Sequence, residues 1–235
     1  CDNHRDLHSF PTRRAPDLPI LEAEHQTIGI VTGVQGMRWY EVTLRGQDAH
    51  AGSTPMRMRA DALVTAARMI DAVQKIALEN GPDAVGTVGL IENTPNSRNV
   101  VPGEAFFTVD FRDPDDGVVQ KMEESFYRIA NDLAEKAGLT LELARVWDSP
   151  AVHFDAECIA SVRRSAETLG YPARAIVSGA GHDAAYMARI APTSMIFVPC
   201  AGGLSHNEAE SAESDDVTAG ANVLLRAVLE TDMRL

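Results

Sequence analysis

Three stretches of this sequence place a histidine among small, turn-forming residues: Asp48-Ala49-His50-Ala51-Gly52-Ser53-Thr54-Pro55, Ser178-Gly179-Ala180-Gly181-His182-Asp183 and Gly202-Gly203-Leu204-Ser205-His206-Asn207-Glu208-Ala209-Glu210. Loops of this kind, set between apolar elements, are where sites are usually built on a rigid scaffold. Imidazole can act there as acid, base or metal ligand near neutral pH. His206, with Asn207 and two glutamates after it, has the setting of a metal ligand backed by carboxylates. Alone it makes no site, because zinc takes three or four ligands and the chain has no H-E-x-x-H and no directly adjacent His/Asp pair beyond His182-Asp183. The Ser178–Asp183 loop matches neither the P-loop lysine pattern nor G-x-S-x-G, so a phosphate cradle and a nucleophile elbow are both weak readings. Arg112 ends an alternating run in which Phe107, Val109 and Phe111 form one face and Thr108, Asp110 and Arg112 the other. Two readings stand for it: a solvated charge at a strand end, or a guanidinium fork that grips a substrate carboxylate.

The elements that must position these residues can be read from periodicity. Residues 37–44 alternate so that Tyr40, Val42 and Leu44 oppose Trp39 and Thr43, which predicts a strand. Leu63, Ala66, Ile70, Val73 and Ala77 recur at helical spacing over 61–80, before the stop signal Gly81-Pro82. Strands are predicted at 85–92 and 104–112, joined by a loop over 93–103 that is rich in turn residues. Val119, Met122, Phe126, Ile129, Leu133 and Ala137 mark a second helix, closed by Gly138, and a strand over 139–146 follows. This βαββαβ order is the ferredoxin-like split βαβ, with two helices on one face of a four-stranded antiparallel sheet and the other face open.

From Ser149 helices and strands alternate instead: helix 156–169, strand 173–178, helix 182–190, strand 193–199. A last helix begins at Ser214, with Asp215 and Asp216 in its first turn and Val217, Ala221, Leu224 and Val228 expected as its buried stripe. The simplest account is a complete small domain inserted into an α/β domain of which the C-terminal part is present.

Composition narrows the function classes. The 235 residues carry 21 Lys and Arg against 34 Asp and Glu, a net charge of −13. That balance opposes nucleic acid and anionic membrane as partners. No apolar run reaches the roughly 18–20 residues that span a bilayer. The three cysteines, Cys1, Cys158 and Cys200, form neither a disulfide framework nor a CxxC pair, which fits a reducing cytoplasm.

Five motifs in order carry a family resemblance: Thr32-Gly33-Val34-Gln35-Gly36, residues 48–56, Pro95-Asn96-Ser97-Arg98-Asn99-Val100-Val101-Pro102-Gly103, residues 178–184, and Ser205-His206-Asn207-Glu208-Ala209-Glu210. From about Pro19 onward the chain resembles the metal-dependent amidohydrolases that include N-carbamoyl-L-amino-acid hydrolases, β-ureidopropionases and allantoate amidohydrolases, within the aminopeptidase-like zinc hydrolases. The resemblance implies the C-terminal part of an α/β catalytic domain over residues 19–35 and 148–235, with an inserted ferredoxin-like lid and dimerisation domain over 36–147. It implies hydrolysis of the ureido C–N bond of an N-carbamoyl-L-amino acid, with allantoate as the alternative substrate and a non-catalytic dimerisation or ligand-binding module as the rival of another class.

Carried over residue by residue, the resemblance makes His50 the histidine that polarises the scissile carbonyl and His206 a metal ligand. It makes Asn99 and Arg112 substrate-binding groups and Gly179, Ala180 and Gly181 the backbone that lines the pocket. Two divalent ions, zinc, manganese, cobalt or nickel, are implied for the intact enzyme, with one ligand retained here. The family's other ligands and its general base belong to an N-terminal half with no counterpart in this sequence, and one further ligand position reads Arg14. Residues 1–18 are expected to be a non-native or disordered tail. The partners expected are a small ureide or carbamoyl substrate and a second copy of the chain.

Overall fold

In the computed structural model, which describes residues 18–203 and 208–232, a short helix α1 (Leu18–Ala23) leads into β1 (Ile28–Val34). The expected tail therefore lies outside the described residues except for Leu18, which begins α1. Six of the seven β1 residues are buried. Such a strand reads as a continuous apolar run and lacks the alternation that marks a half-buried strand.

Next come β2 (Gly36–Arg45), the two-residue β3 (Ala49–His50), α2 (Ala62–Glu79), β4 (Val85–Thr87), β5 (Ile91–Thr94), β6 (Val100–Val101), β7 (Glu104–Asp113), α3 (Asp116–Ala137) and β8 (Thr140–Ser149). Residues 35–152 form one unit, and the other described residues form another. In the first unit the sheet order is β4-β7-β2-β8, with β5 also on β7 and all pairings antiparallel. This is the split βαβ order expected, with its second strand broken in two at Val88-Gly89-Leu90.

The alternation does what the sequence predicts. Tyr40, Val42 and Leu44 are fully buried with Phe107 and Phe111, against Met69 and Val73 of α2 and Met122 and Phe126 of α3. Phe126 meets Phe111 edge-on at 5.9 Å, and Tyr40 meets Phe111 the same way at 6.1 Å, geometries that aromatic quadrupoles favour. α2 starts where the Asp61 carboxylate accepts the Val64 N–H, and α3 stops where Gly138 takes φ 64°, a left-handed turn that suits glycine.

The other unit continues with β9 (Val152–His153), which opens from the junction, α4 (Ala156–Leu169), β10 (Ala173–Ser178), α5 (Asp183–Met187), β11 (Met195–Phe197) and α6 (Ser214–Asp232). β1 is central, parallel to β10 and antiparallel to β11. Ile28 and Ile30 pack on Val162 and Ala166 of α4 and on Ala219, Val223 and Ala227 of α6. The α6 stripe is thus a correction: Ala221, Leu224 and Val228 are exposed, and the smaller residues one register over are buried. Ala219, Val223 and Ala227 let the helix approach closely; Gly220 lies so near Val198 that a Cβ there would clash.

Candidate functional site

His50 sits at the end of β3, which pairs with β6 so that His50 faces Val100 and Ala49 faces Val101. The loop of turn residues predicted over 93–103 therefore contains a short strand, β6, and it pairs with the strand that bears the histidine. The ribbon continues one bond further, where the Ala51 N–H donates to the Asn99 carbonyl at 2.9 Å. At its base the Gly103 N–H donates to Asp48 Oδ1 at 2.7 Å, and the Gly46 N–H donates to the Gly103 carbonyl at 2.7 Å. Arg59 closes the outer turn, giving Nη2–H to the Ala51 carbonyl at 2.7 Å and Nε–H to that of Thr54 at 3.1 Å. Arg59 was not singled out from the sequence, and Asp48 entered only as the first residue of the His50 stretch. Two residues before the helix cap at Asp61, Arg59 reads as an ordinary loop charge.

The ribbon gives both candidate side chains a defined polarity. His50 Nδ1 accepts the backbone N–H groups of Gly52, at 3.0 Å, and of Ser53, at 3.2 Å. An imidazole nitrogen that accepts carries no proton, so the neutral ring presents Nε2–H as its donor. Asn99 Oδ1 accepts the Ser97 hydroxyl at 2.7 Å, which leaves its amide N–H groups as the side to offer. Two N–H donors, one on β3 and one in the turn just before β6, are suited to a carbonyl oxygen or to an oxygen that gains negative charge during reaction.

Arg112 is elsewhere. It lies eight residues beyond Glu104 along β7, about 27 Å at a strand's rise, while the His50 ribbon adjoins the Glu104 end. Arg112 and Asn99 of one chain, each implied by the resemblance to touch the substrate, are therefore well apart along the unit. Arg112 does lie on the open face of the sheet, as the alternation requires, and Asp110 holds it: Nε is 3.0 and 3.1 Å from the two carboxylate oxygens and Nη2 is 2.6 Å from Oδ2. An i, i+2 pair on one strand face was visible in the sequence and is the signal that finds Asp110.

Gly179, Ala180 and Gly181 follow β10 in the other unit. The loop is closed beneath by Ser178, fully buried, whose hydroxyl lies 2.7 Å from Nε2 of the buried His182. The Ala180 N–H also donates to Ser178 Oγ at 3.2 Å, and the His182 ring packs on Phe197 with centroids 5.6 Å apart. His182 thus has a structural setting, one of the readings open to any single histidine. α5 after it is only five residues long, shorter than the helix expected over 182–190. His206 and Arg14 lie outside the described residues. Among the described residues no group of three or more His, Cys, Asp or Glu is placed to hold a metal, so they do not by themselves fit the implied pair of ions.

The model of the peptidase family M20/M25/M40 matches residues 25–230. The chain belongs to that family. An N-carbamoyl-L-amino-acid amidohydrolase of Rhizobium meliloti is 47% identical over 227 residues, which are 97% of this chain and 55% of that protein. The allantoate amidohydrolase of Escherichia coli strain K12 is 33% identical over 220 residues, 94% of this chain and 54% of that protein. Among solved structures, an amidase of the hydantoinase/carbamoylase family from Burkholderia multivorans superposes with a TM-score of 0.87 at 53% identity, covering 90% of this chain and 52% of that one. The chain spans about half the length of the relatives it matches. Enzymes of the M20 family are generally metal-dependent. No helix among the described residues is long and apolar enough to cross a membrane.

Proposed function

We propose that this chain is the substrate-orienting part of an amidohydrolase that cleaves the ureido C–N bond of N-carbamoyl-L-amino acids. The observation that carries the reading is the pair of N–H donors at His50 Nε2 and Asn99. Hydrolysis of a ureido group puts charge on its carbonyl oxygen, and fixed donors aimed at such an oxygen lower the barrier because they need no reorganisation. Arg112, oriented by Asp110, is the proposed clamp for the substrate's α-carboxylate, and the Gly179–Gly181 backbone the proposed pocket wall. His206 is the proposed metal ligand, and the cytoplasm the proposed compartment.

Residues 35–152 are proposed as the lid and dimerisation domain. Because Arg112 lies about 27 Å along the strand from the His50 ribbon, one small substrate touched by both draws on the lids of two copies. The carbamoyl-amino-acid reading is preferred to allantoate because the more similar relatives carry that name.

The test is a chimera in which this chain replaces the matching 227 residues of the R. meliloti relative. It is expected to hydrolyse an N-carbamoyl-L-amino acid well above allantoate. A folded, metal-loaded chimera that turns over allantoate preferentially would overturn the substrate assignment.

A further inference from the structure

We infer that Arg59 is a positioning residue for His50: it braces the turn that orients the imidazole, and through that turn it sets where Nε2–H points. The inference rests on the role proposed above for His50. His50 is exposed, as are Gly52 and Ser53, so packing does little to fix the ring. Its orientation depends on two backbone donors, the Gly52 and Ser53 N–H groups, which meet Nδ1 at 3.0 and 3.2 Å. Both donors belong to a turn whose own backbone closure is the bond from the Thr54 N–H to the His50 carbonyl at 3.1 Å. An exposed turn of small residues held so lightly opens locally at little cost.

Arg59 supplies what the turn lacks. It is half-buried, and its Nη2–H and Nε–H meet the carbonyls of Ala51 at 2.7 Å and Thr54 at 3.1 Å, so one planar fork spans the turn from flank to flank. Among the described residues no other side chain donates to either carbonyl. The fork stands on a firm base. The next residue, Ala60, accepts the Gln47 N–H through its carbonyl at 3.3 Å, and the Ala62 N–H donates to the Pro102 carbonyl at 3.1 Å, which ties the start of α2 to the turn after β6. Backbones cross closely there: a Cβ added to Gly46 would lie 2.2 Å from the Ala60 oxygen. Between the turn and Arg59 the chain runs through a single 3₁₀ turn, Met56–Met58, in which both methionines and Arg57 are exposed. Arg59 is therefore the member of this segment that carries the rigidity of the base out to the turn, and from the turn to the ring.

The test has a structural arm and a kinetic arm. In the first, amide exchange with water is measured by NMR on this chain and on Arg59→Ala, Arg59→Lys and Arg57→Ala. Arg59→Ala is expected to speed exchange at Gly52 and Ser53 by about tenfold, the effect of freeing a locally held turn, while the amides of β2, β7 and α2 keep the parent's rates. Arg59→Lys keeps the charge but loses the fork, and should fall between. Arg57→Ala should match the parent. Unchanged exchange at Gly52 and Ser53 would overturn the inference, and so would faster exchange throughout residues 35–152, which would make Arg59 a residue of the fold. In the chimera, Arg59→Ala is expected to lower kcat by about tenfold to a hundredfold with KM held within about twofold, because a displaced donor is felt in the transition state. His50→Ala and the double variant should then be equally slow, since a residue that acts through His50 has nothing to act on once the imidazole is gone. Additive losses would overturn the inference. If exchange responds as expected while His50→Ala leaves the chimera as active as the parent, Arg59 stands as the residue that positions the ring, and the proposed role of His50 falls.

Discussion

A guanidinium fixed by a carboxylate two residues away on the same strand is presented in one orientation, so Arg112 makes a specific prediction. In the active chimera, Arg112→Lys is expected to lose about 1.5–3 kcal/mol, the range of a hydrogen bond to a charged group. That corresponds to about tenfold to more than a hundredfold in kcat/KM. A substrate whose α-carboxylate is converted to an amide should show a much smaller loss, and equal losses would assign Arg112 to structure. Beside it, Asp113 is buried and its carboxyl is pushed above the usual aspartate range, chiefly by that burial, against the opposing effect of the Asp115 N–H at 2.7 Å. A raised acid contributes stability that is present below its unfolded pKa, about 3.9, and is lost as pH rises through the folded value. Asp113→Asn keeps the acceptor for Asp115 and removes the buried charge. It should therefore be neutral to stabilising at pH 7, and should flatten the fall in stability above pH 4 when melting is followed across pH.

Elements were legible in the sequence where one physical signal acted alone. α4 and β10 occupy the expected residues because Asp155 caps the one, with its side chain on the Cys158 N–H, and Gly170 at φ 74° ends it. α2 and α3 were legible for the same reasons, and the cap at Asp61 can be weighed. Asp61→Ala is expected to destabilise residues 35–152 by about 0.5–2 kcal/mol, the usual worth of such a cap, in a urea titration of that fragment. Loss of stability without loss of α2 helicity would contradict the assignment. What was not legible lay where pairing at a distance decides. β3 and β6 are two residues each and exist only because they pair across fifty positions of chain. β1 carries no period because both its faces are covered. The α6 stripe was misplaced because two apolar stripes share that helix, and the choice between them depends on which layers are present.

At the scale of the molecule, the candidate site could be named from five short words of sequence but not laid out as a geometry. Thirteen positions separate Asn99 from Arg112 in sequence, and strand β7 turns most of that interval into distance. The consequence is the proposed dimer of the lid unit, which can be tested on residues 35–152 because their core is drawn from residues 40–143 alone. β8 is a ten-residue strand that, among the described residues, pairs only with β2, and an open edge of that length is a template for another strand. On the open face next to it Trp39 and Trp147 stack with centroids 5.8 Å apart, each more than 40% exposed. Trp39 and Val146 line one shallow hollow with Thr108 and Asp110. The fragment is expected to be a dimer by light scattering at tens of micromolar, roughly the range where a modest interface is populated. Trp147→Asp, at an exposed position, should shift it toward monomer without unfolding it. A fragment that is monomeric throughout that range would remove the dimer, and with it the account of how His50, Asn99 and Arg112 come to share one substrate.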